Sequence, residues 1–226
     1  MTTPPPPRVD VAAIRNQLDS LIGRFDCADL AVRVDSELIV RLQGYVESEG
    51  DRTELLAAAR AIDGVRRVDP GITVQPWPLC ELVRVTAGAT SPDFRVVPDK
   101  LDAPYKIAKD HVTFRVFPPP GRQGFLNVIF LQSDRTAWHY KPWSQIRVRP
   151  GEKEMVFGVK EQISLVPPAG KMAIIAVLSS EPVSFVTFDK DGQGTQDTKK
   201  YLADLKAILT RQRDPVVSYV AFDTVQ

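Results

Sequence analysis

Between residues 10 and 25, apolar side chains recur at intervals of three and four: Val11, Ile14, Leu18, Leu21, Ile22 and Phe25. That spacing predicts an amphipathic helix with one buried stripe. The period then changes to two. Leu30, Val32 and Val34 alternate with Ala31 and Arg33, Asp35-Ser36 marks a turn, and Leu38, Val40 and Leu42 resume the alternation, which predicts two strands. Gly50-Asp51 opens a second helix, with Asp51 as its cap and Glu54 completing a capping box. Leu55, Leu56, Ala59 and Ile62 form its apolar side, and Gly64 stands where a left-handed C-cap is needed. Val65, Val68, Ile72 and Val74 supply one more strand before Pro76-Trp77-Pro78 ends it. The predicted order is αββαβ. Both helices must share one face of a small sheet, because neither can bury its stripe alone.

From residue 81 the pattern consists of short alternating segments: Leu82 to Val85, His111 to Phe117, Phe125 to Leu131, Ile146 to Arg149, Ile163 to Val166, Met172 to Leu178 and Val183 to Phe188. Turn chemistry separates them at Pro118-Pro119-Pro120-Gly121, Ser133-Asp134, Pro150-Gly151 and Pro167-Pro168-Ala169-Gly170. Many short strands at near-regular spacing predict an antiparallel sandwich. A helix is expected from about Asp197 to Gln212, with Tyr201, Leu202, Leu205, Ile208 and Leu209 on its apolar side, and a strand from Val216 to Phe222. The expected class is α+β. A small αββαβ domain over residues 11–79 precedes an antiparallel β-sandwich domain over 80–226 with a C-terminal helix and strand, and residues 1–10 form a Pro-rich tail or linker.

Charge supports that division. Residues 1–80 hold nine Arg, no Lys and 12 acids, a net −3, whereas residues 81–226 hold 20 bases and 16 acids, a net +4. The whole chain of 226 residues carries only +1, so no global field points to nucleic acid. No apolar run reaches the roughly 20 residues a transmembrane helix needs. The start, Met1-Thr2-Thr3-Pro4-Pro5-Pro6-Pro7, lacks the charged and apolar regions of a signal peptide. Four consecutive prolines favour an extended polyproline conformation, which suits either a linker from a longer protein or a terminal tail. The two cysteines, Cys27 and Cys80, flank the first module. A bridge clasping its ends is conceivable, but the reading favours two buried thiols, since free cysteine behaves as a small core hydrophobe.

The run Leu38-Ile39-Val40-Arg41-Leu42-Gln43-Gly44-Tyr45-Val46 resembles the BON-domain pattern of an apolar strand ending in Leu-x-Gly-x-Val. About 20 residues later, Gly64-Val65-Arg66-Arg67-Val68 resembles that family's Gly-Val-x-x-Val element. The resemblance covers about 70 residues. It implies a non-enzymatic domain, found mostly in bacterial envelope proteins, that binds phospholipid or other envelope components. Gly44 and Gly64 also have purely structural readings, as a strand-end bend and a helix cap. Residues 105–185 resemble a bacterial domain of unknown function found C-terminal to caspase-like and protein-kinase domains. The likeness rests on Gly124-Phe125-Leu126-Asn127-Val128-Ile129-Phe130, the Ser133-Asp134 turn, Pro142, and Pro167-Pro168-Ala169-Gly170 before an apolar strand. A glycine common in that family's first turn is replaced here by Arg135. This second resemblance implies an accessory or sensory role.

Candidate chemistry is sparse. His111 and His139 lie in no nucleophile elbow, zinc spacing or phosphate loop, so no catalytic residue, metal or cofactor is expected. A hydrolase would require a cleft that brings one of them within hydrogen-bond reach of Ser, Cys or Asp. Asp189-Lys190-Asp191-Gly192-Gln193-Gly194-Thr195 copies the start of a calcium loop, yet its twelfth position is Lys200, where a bidentate acid is required. A polar turn is the better reading. The densest aromatic group is Trp138-His139-Tyr140-Lys141-Pro142-Trp143, with Arg147 and Arg149 close behind. Alternation sends Trp138 and Tyr140 into the sandwich core, leaving His139, Lys141, Trp143, Arg147 and Arg149 as the partner-binding candidates.

The expectation is a non-catalytic bacterial accessory or adaptor protein that binds a protein partner, with phospholipid or glycan as other ligands and no nucleic acid. The regulatory C-terminal part of a larger signalling enzyme such as a protein kinase is the alternative, and an unrecognised hydrolase the second. A complete chain without a signal would be cytoplasmic, and a fragment of an exported protein would sit in the periplasm or cell envelope.

Overall fold

A computed structural model describes residues 10–25, 27–100 and 103–226. The Pro-rich segment of residues 1–9 lies outside the described residues. Two compact units divide between Glu81 and Leu82.

The first unit has the order α1 (Val11–Ile22), β1 (Asp29–Val34), β2 (Ile39–Val46), α2 (Glu49–Arg60) and β3 (Arg67–Val74). The strands lie side by side as β1-β2-β3, the first pair antiparallel and the second parallel. Alternation places Val40, Leu42 and Val46 of β2, with Val68 and Ile72 of β3, on one face. There they pack with Ile14, Leu18 and Leu21 of α1 and Leu55 and Ala59 of α2. The other face carries the exposed Arg41 and Gln43 and, at its far end, the buried Tyr45.

Three local expectations are corrected. Helix α2 starts earlier than Asp51: Ser48 is its cap, accepting from the Asp51 amide, while the Asp51 carboxylate accepts from the Ser48 amide. The box is Ser-x-x-Asp, so Asp51 is the third residue of the helix and not its cap. Gly64 does not cap that helix, whose C-cap is Ala61. It takes φ +89° in the turn closed by the Val65 amide on the Ile62 carbonyl, the third position of a type II turn, where positive φ is required. Gly44 lies inside β2 and not at a strand end; a Cβ there would sit 2.0 Å from the Asp29 carbonyl oxygen, where β1 begins. The Leu-x-Gly-x-Val motif thus records a close backbone approach.

The cysteines are also corrected. Cys27 and Cys80 form a disulfide across 53 residues, with Cα atoms 5.8 Å apart. Cys27 precedes β1 and Cys80 follows β3, so the covalent link joins two ends that the sheet has already brought together. Beside it, the Tyr45 hydroxyl donates to the Cys80 carbonyl.

In the chain, α3 (Leu79–Thr86) follows. It takes in Leu82 to Val85, expected as a strand. Leu79, Leu82, Val83 and Thr86 fall at helical spacing, and four alternating residues cannot distinguish the two periods. The second unit continues with β4 (Arg95–Pro98), β5 (Tyr105–Lys106), β6 (His111–Val112), β7 (Phe114–Phe117), β8 (Gly124–Leu131) and β9 (Thr136–Tyr140). A short 3-10 turn at Lys141–Trp143 leads to β10 (Ile146–Val148), β11 (Met155–Phe157), β12 (Ile163–Ser164), β13 (Lys171–Ser179) and β14 (Gln193–Asp197). Helix α4 (Thr198–Arg211) and β15 (Val216–Val225) follow.

The main sheet runs β14-β9-β8-β13-β15-β5, with β10 also on β8; β11-β7-β4 makes a second sheet and β12-β6 a two-stranded ladder. Leu126, Val128 and Phe130 of β8 and Ile174, Ala176 and Leu178 of β13 pack with Phe114, Val116, Val96 and Phe157 of the second sheet. This is the expected sandwich. Strands β8 and β13 are buried on both faces, which explains their continuous apolar runs. At β9 and β14 the far face is covered by α4, whose Tyr201 lies against His139.

The expected strand from His111 to Phe117 breaks at Thr113, because β6 and β7 pair with different partners. Val183 to Phe188 forms no strand. Alternation says where side chains go, but a strand also needs a backbone partner. Arg135 takes φ +69°, the conformation a glycine adopts freely.

Candidate functional site

Strand β9 builds the site. It is held between β8, where Phe130 faces Trp138, and β14, where Thr195 faces Trp138 and Gln193 faces Tyr140. Successive side chains of a strand point to opposite faces, so Trp138 and Tyr140 share one face and His139 takes the other. The Trp138 and Tyr140 rings are nearly parallel (8°), with centroids 5.9 Å apart. Pro142 then turns the chain so that Trp143 folds back beneath them. Its buried ring meets both edge-on, at 5.7 Å and 5.2 Å. Phe130 supports Trp138 from below. The indole N–H of Trp138 donates to Gln193, and that of Trp143 to Glu161 at 3.4 Å.

The Trp138 and Tyr140 rings form one wall of a groove of about 530 Å³. Phe130, Leu165 and Met172 contribute apolar surface, and Gln162 to Val166 line it with Gln132, Glu161, Asp191 and Gln193. A half-buried aromatic wall beside a few polar groups suits recognition of a partner segment or small ligand.

The exposure expected of the aromatic cluster is inverted. His139 and Trp143, expected at the surface, are each only 2% exposed, whereas Trp138 and Tyr140, expected in the core, are half-buried and line the groove. The expectation assumed a single buried face. In fact α4 buries the His139 face, and the sandwich core ends near Trp138. His139 packs against Phe185 and Tyr201, and its Nε2 lies 3.4 Å from the Gln196 amide nitrogen. Desolvation pushes its pKa down to about 4. Lys141, Arg147 and Arg149 are exposed, and none of them lines the groove. Arg147 sits instead beside Phe125, its guanidinium 5.9 Å from the ring.

His111 reaches Ser164 directly, with Oγ 3.2 Å from Nδ1. The two residues are cross-strand partners on the β6–β12 ladder, and Ser164 lines the groove. The Asp189 carboxylate accepts from the amides of Asp191 and Gln193, so this loop is a tight polar turn. It feeds β14 before the helix begins.

Residues 10–76 match the BON domain family model. A BON domain therefore forms the N-terminal part of the chain, as the Leu42-to-Val46 and Gly64-to-Val68 motifs imply. The search of curated proteins finds no match. Among the described residues, no helix is long and apolar enough to cross a membrane.

Proposed function

We propose that this chain is a non-catalytic accessory protein of the bacterial envelope, which uses its BON domain to engage an envelope component and its second unit to hold a partner in the Trp138–Tyr140 groove. The observation that carries this reading is the half-buried aromatic pair at the wall of a preformed groove. Large aromatic side chains held rigid from behind are what binding surfaces use as anchors. The BON domain supports the envelope assignment, since that family is associated with phospholipid and other envelope components. The Cys27–Cys80 disulfide supports an oxidising compartment outside the cytosol. The C-terminal likeness to a domain accompanying caspase-like and kinase domains fits an accessory role as well.

The test uses the full chain immobilised against a bacterial envelope extract, with flotation on phosphatidylglycerol vesicles as a second arm. Truncating Trp138 and Tyr140 together to alanine should weaken partner capture by at least about tenfold, the scale of aromatic anchors, and leave vesicle binding unchanged. Equal capture by wild type and variant would remove the groove from the reading. No capture and no flotation would remove the reading altogether.

The Ser164–His111 contact favours a second reading, a hydrolase with Ser164 as nucleophile and His111 as base. Turnover of p-nitrophenyl acetate that disappears in Ser164→Ala would support it, and a rate no higher than buffer would end it.

A further inference from the structure

A strand that turns a face to a cavity lines it with alternate residues; one that turns its edge lines it with consecutive residues. The aromatic wall is of the first kind, since β9 contributes Trp138 and Tyr140 but not His139. The facing wall is of the second kind, because every residue from Gln162 to Val166 lines the groove. Strand β12 lies within that run; it pairs with β6 on one side, and among the described residues no strand pairs with it on the other. A two-residue strand has one residue's N–H and C=O on its outer edge, and the neighbouring Gln162 N–H is already taken by the Gly158 carbonyl, so the edge offers a short main-chain anchor to another chain. The charge of the groove is one-sided as well. Glu161 and Asp191 line it, and no Lys or Arg is among its described lining residues. Carboxylates beside aromatic faces favour a cation, which gains from the ring quadrupole and from the ion pair together.

We infer that the groove takes an extended peptide, which adds to the open edge of β12 and seats a lysine or arginine side chain against Trp138 and Tyr140, within reach of Asp191 and Glu161. The inference rests on the groove being a binding site and names what occupies it. Main-chain pairing along β12 supplies affinity with little sequence demand, and the acidic aromatic wall supplies selectivity for the basic side chain. Exposed Val166, at the end of the edge, gives an apolar contact for a neighbouring side chain of the same peptide.

The test pans a phage-displayed library of random dodecapeptides against the immobilised full chain. Recovered peptides are then resynthesised with and without N-methylation at alternate backbone amides. The recovered sequences should be enriched in Lys or Arg, and N-methylation should weaken them at least about tenfold, as expected where strand pairing carries affinity. Joint replacement of Asp191→Asn and Glu161→Gln, which keeps an acceptor for the Trp143 indole, should reduce affinity by a similar factor and erase the preference for basic peptides. Recovery of no peptide, no basic enrichment, or indifference to N-methylation would overturn the inference. Binding on a glycan array that is lost in Trp138→Ala would also overturn it, while leaving the groove as a site. Peptides that bind Trp138→Ala as well as wild type would remove both this inference and the groove reading.

Discussion

Replacing Cys27 and Cys80 with serine should destabilise the BON domain by about 4 kcal/mol, the loop-closure entropy expected for a bridge of this span. The link closes 53 residues of chain, taking in the three strands and α2 but not α1, in a domain that has only a small core. That core is a single layer of aliphatic side chains between two helices and three strands. Domains of this size are marginal without a staple, so a loss on this scale removes much of the stability such a domain has. In urea or thermal unfolding, hydrogen exchange should show peptides within residues 10–76 losing protection early in the reduced or substituted protein. The melting temperature of that region should fall by roughly 20 °C, at the few degrees per kcal/mol typical of small domains. Peptides from β8 and β13 should keep their protection. An unchanged midpoint for residues 10–76 on reduction would show that the bridge adds nothing to the fold and would withdraw the support it gives to an oxidising compartment.

The bridge was not legible in the sequence, because the spacing of two cysteines says nothing about whether their Cα atoms come within the few ångströms a disulfide needs. That proximity comes from β1 and β3 flanking β2. The elements themselves were legible wherever one face is buried and the run is long. The αββαβ order of the BON domain follows from its changes of period, and β8, β13, α4 and β15 follow from theirs. What failed shares a cause. Leu82 to Val85 is too short to separate period two from period 3.6. Val183 to Phe188 alternates but has no strand partner. At Trp138 to Trp143 the alternation is right, since Trp138 and Tyr140 do share a face, and the error lies in which face the fold covers. Burial of the His139 side depends on Tyr201 and Phe185, more than 40 residues away in the chain. The groove's second wall, Gln162 to Val166, gave no signal of its role, because an open edge is a property of the sheet and not of the strand.

His139 should make the second unit sensitive to acid, by on the order of 3 kcal/mol between neutral pH and pH 4. The imidazole is 2% exposed, against the rings of Phe185 and Tyr201 and the Gln196 side chain. Among the described contacts none supplies a carboxylate to hold its proton. Burial lowers its pKa from 6.5 to about 4, so the unfolded chain takes up a proton at a higher pH than the folded one. Above pH 6.5 the imidazole is neutral in both states, and stability does not change on its account. As pH falls from 6.5 towards 4 the unfolded state binds more protons, and stability declines steadily. Below about 4 the folded state is protonated too, and the loss levels off. Carboxylates titrate through part of this window, so the informative measurement is the difference between wild type and His139→Gln, which keeps a polar group facing Gln196. Plotted against pH, the difference in unfolding free energy should be flat above pH 7 and shift in favour of the variant by about 3 kcal/mol at pH 4. A flat difference across the whole range would mean that this ring titrates alike in both states, which its place beneath α4 does not allow.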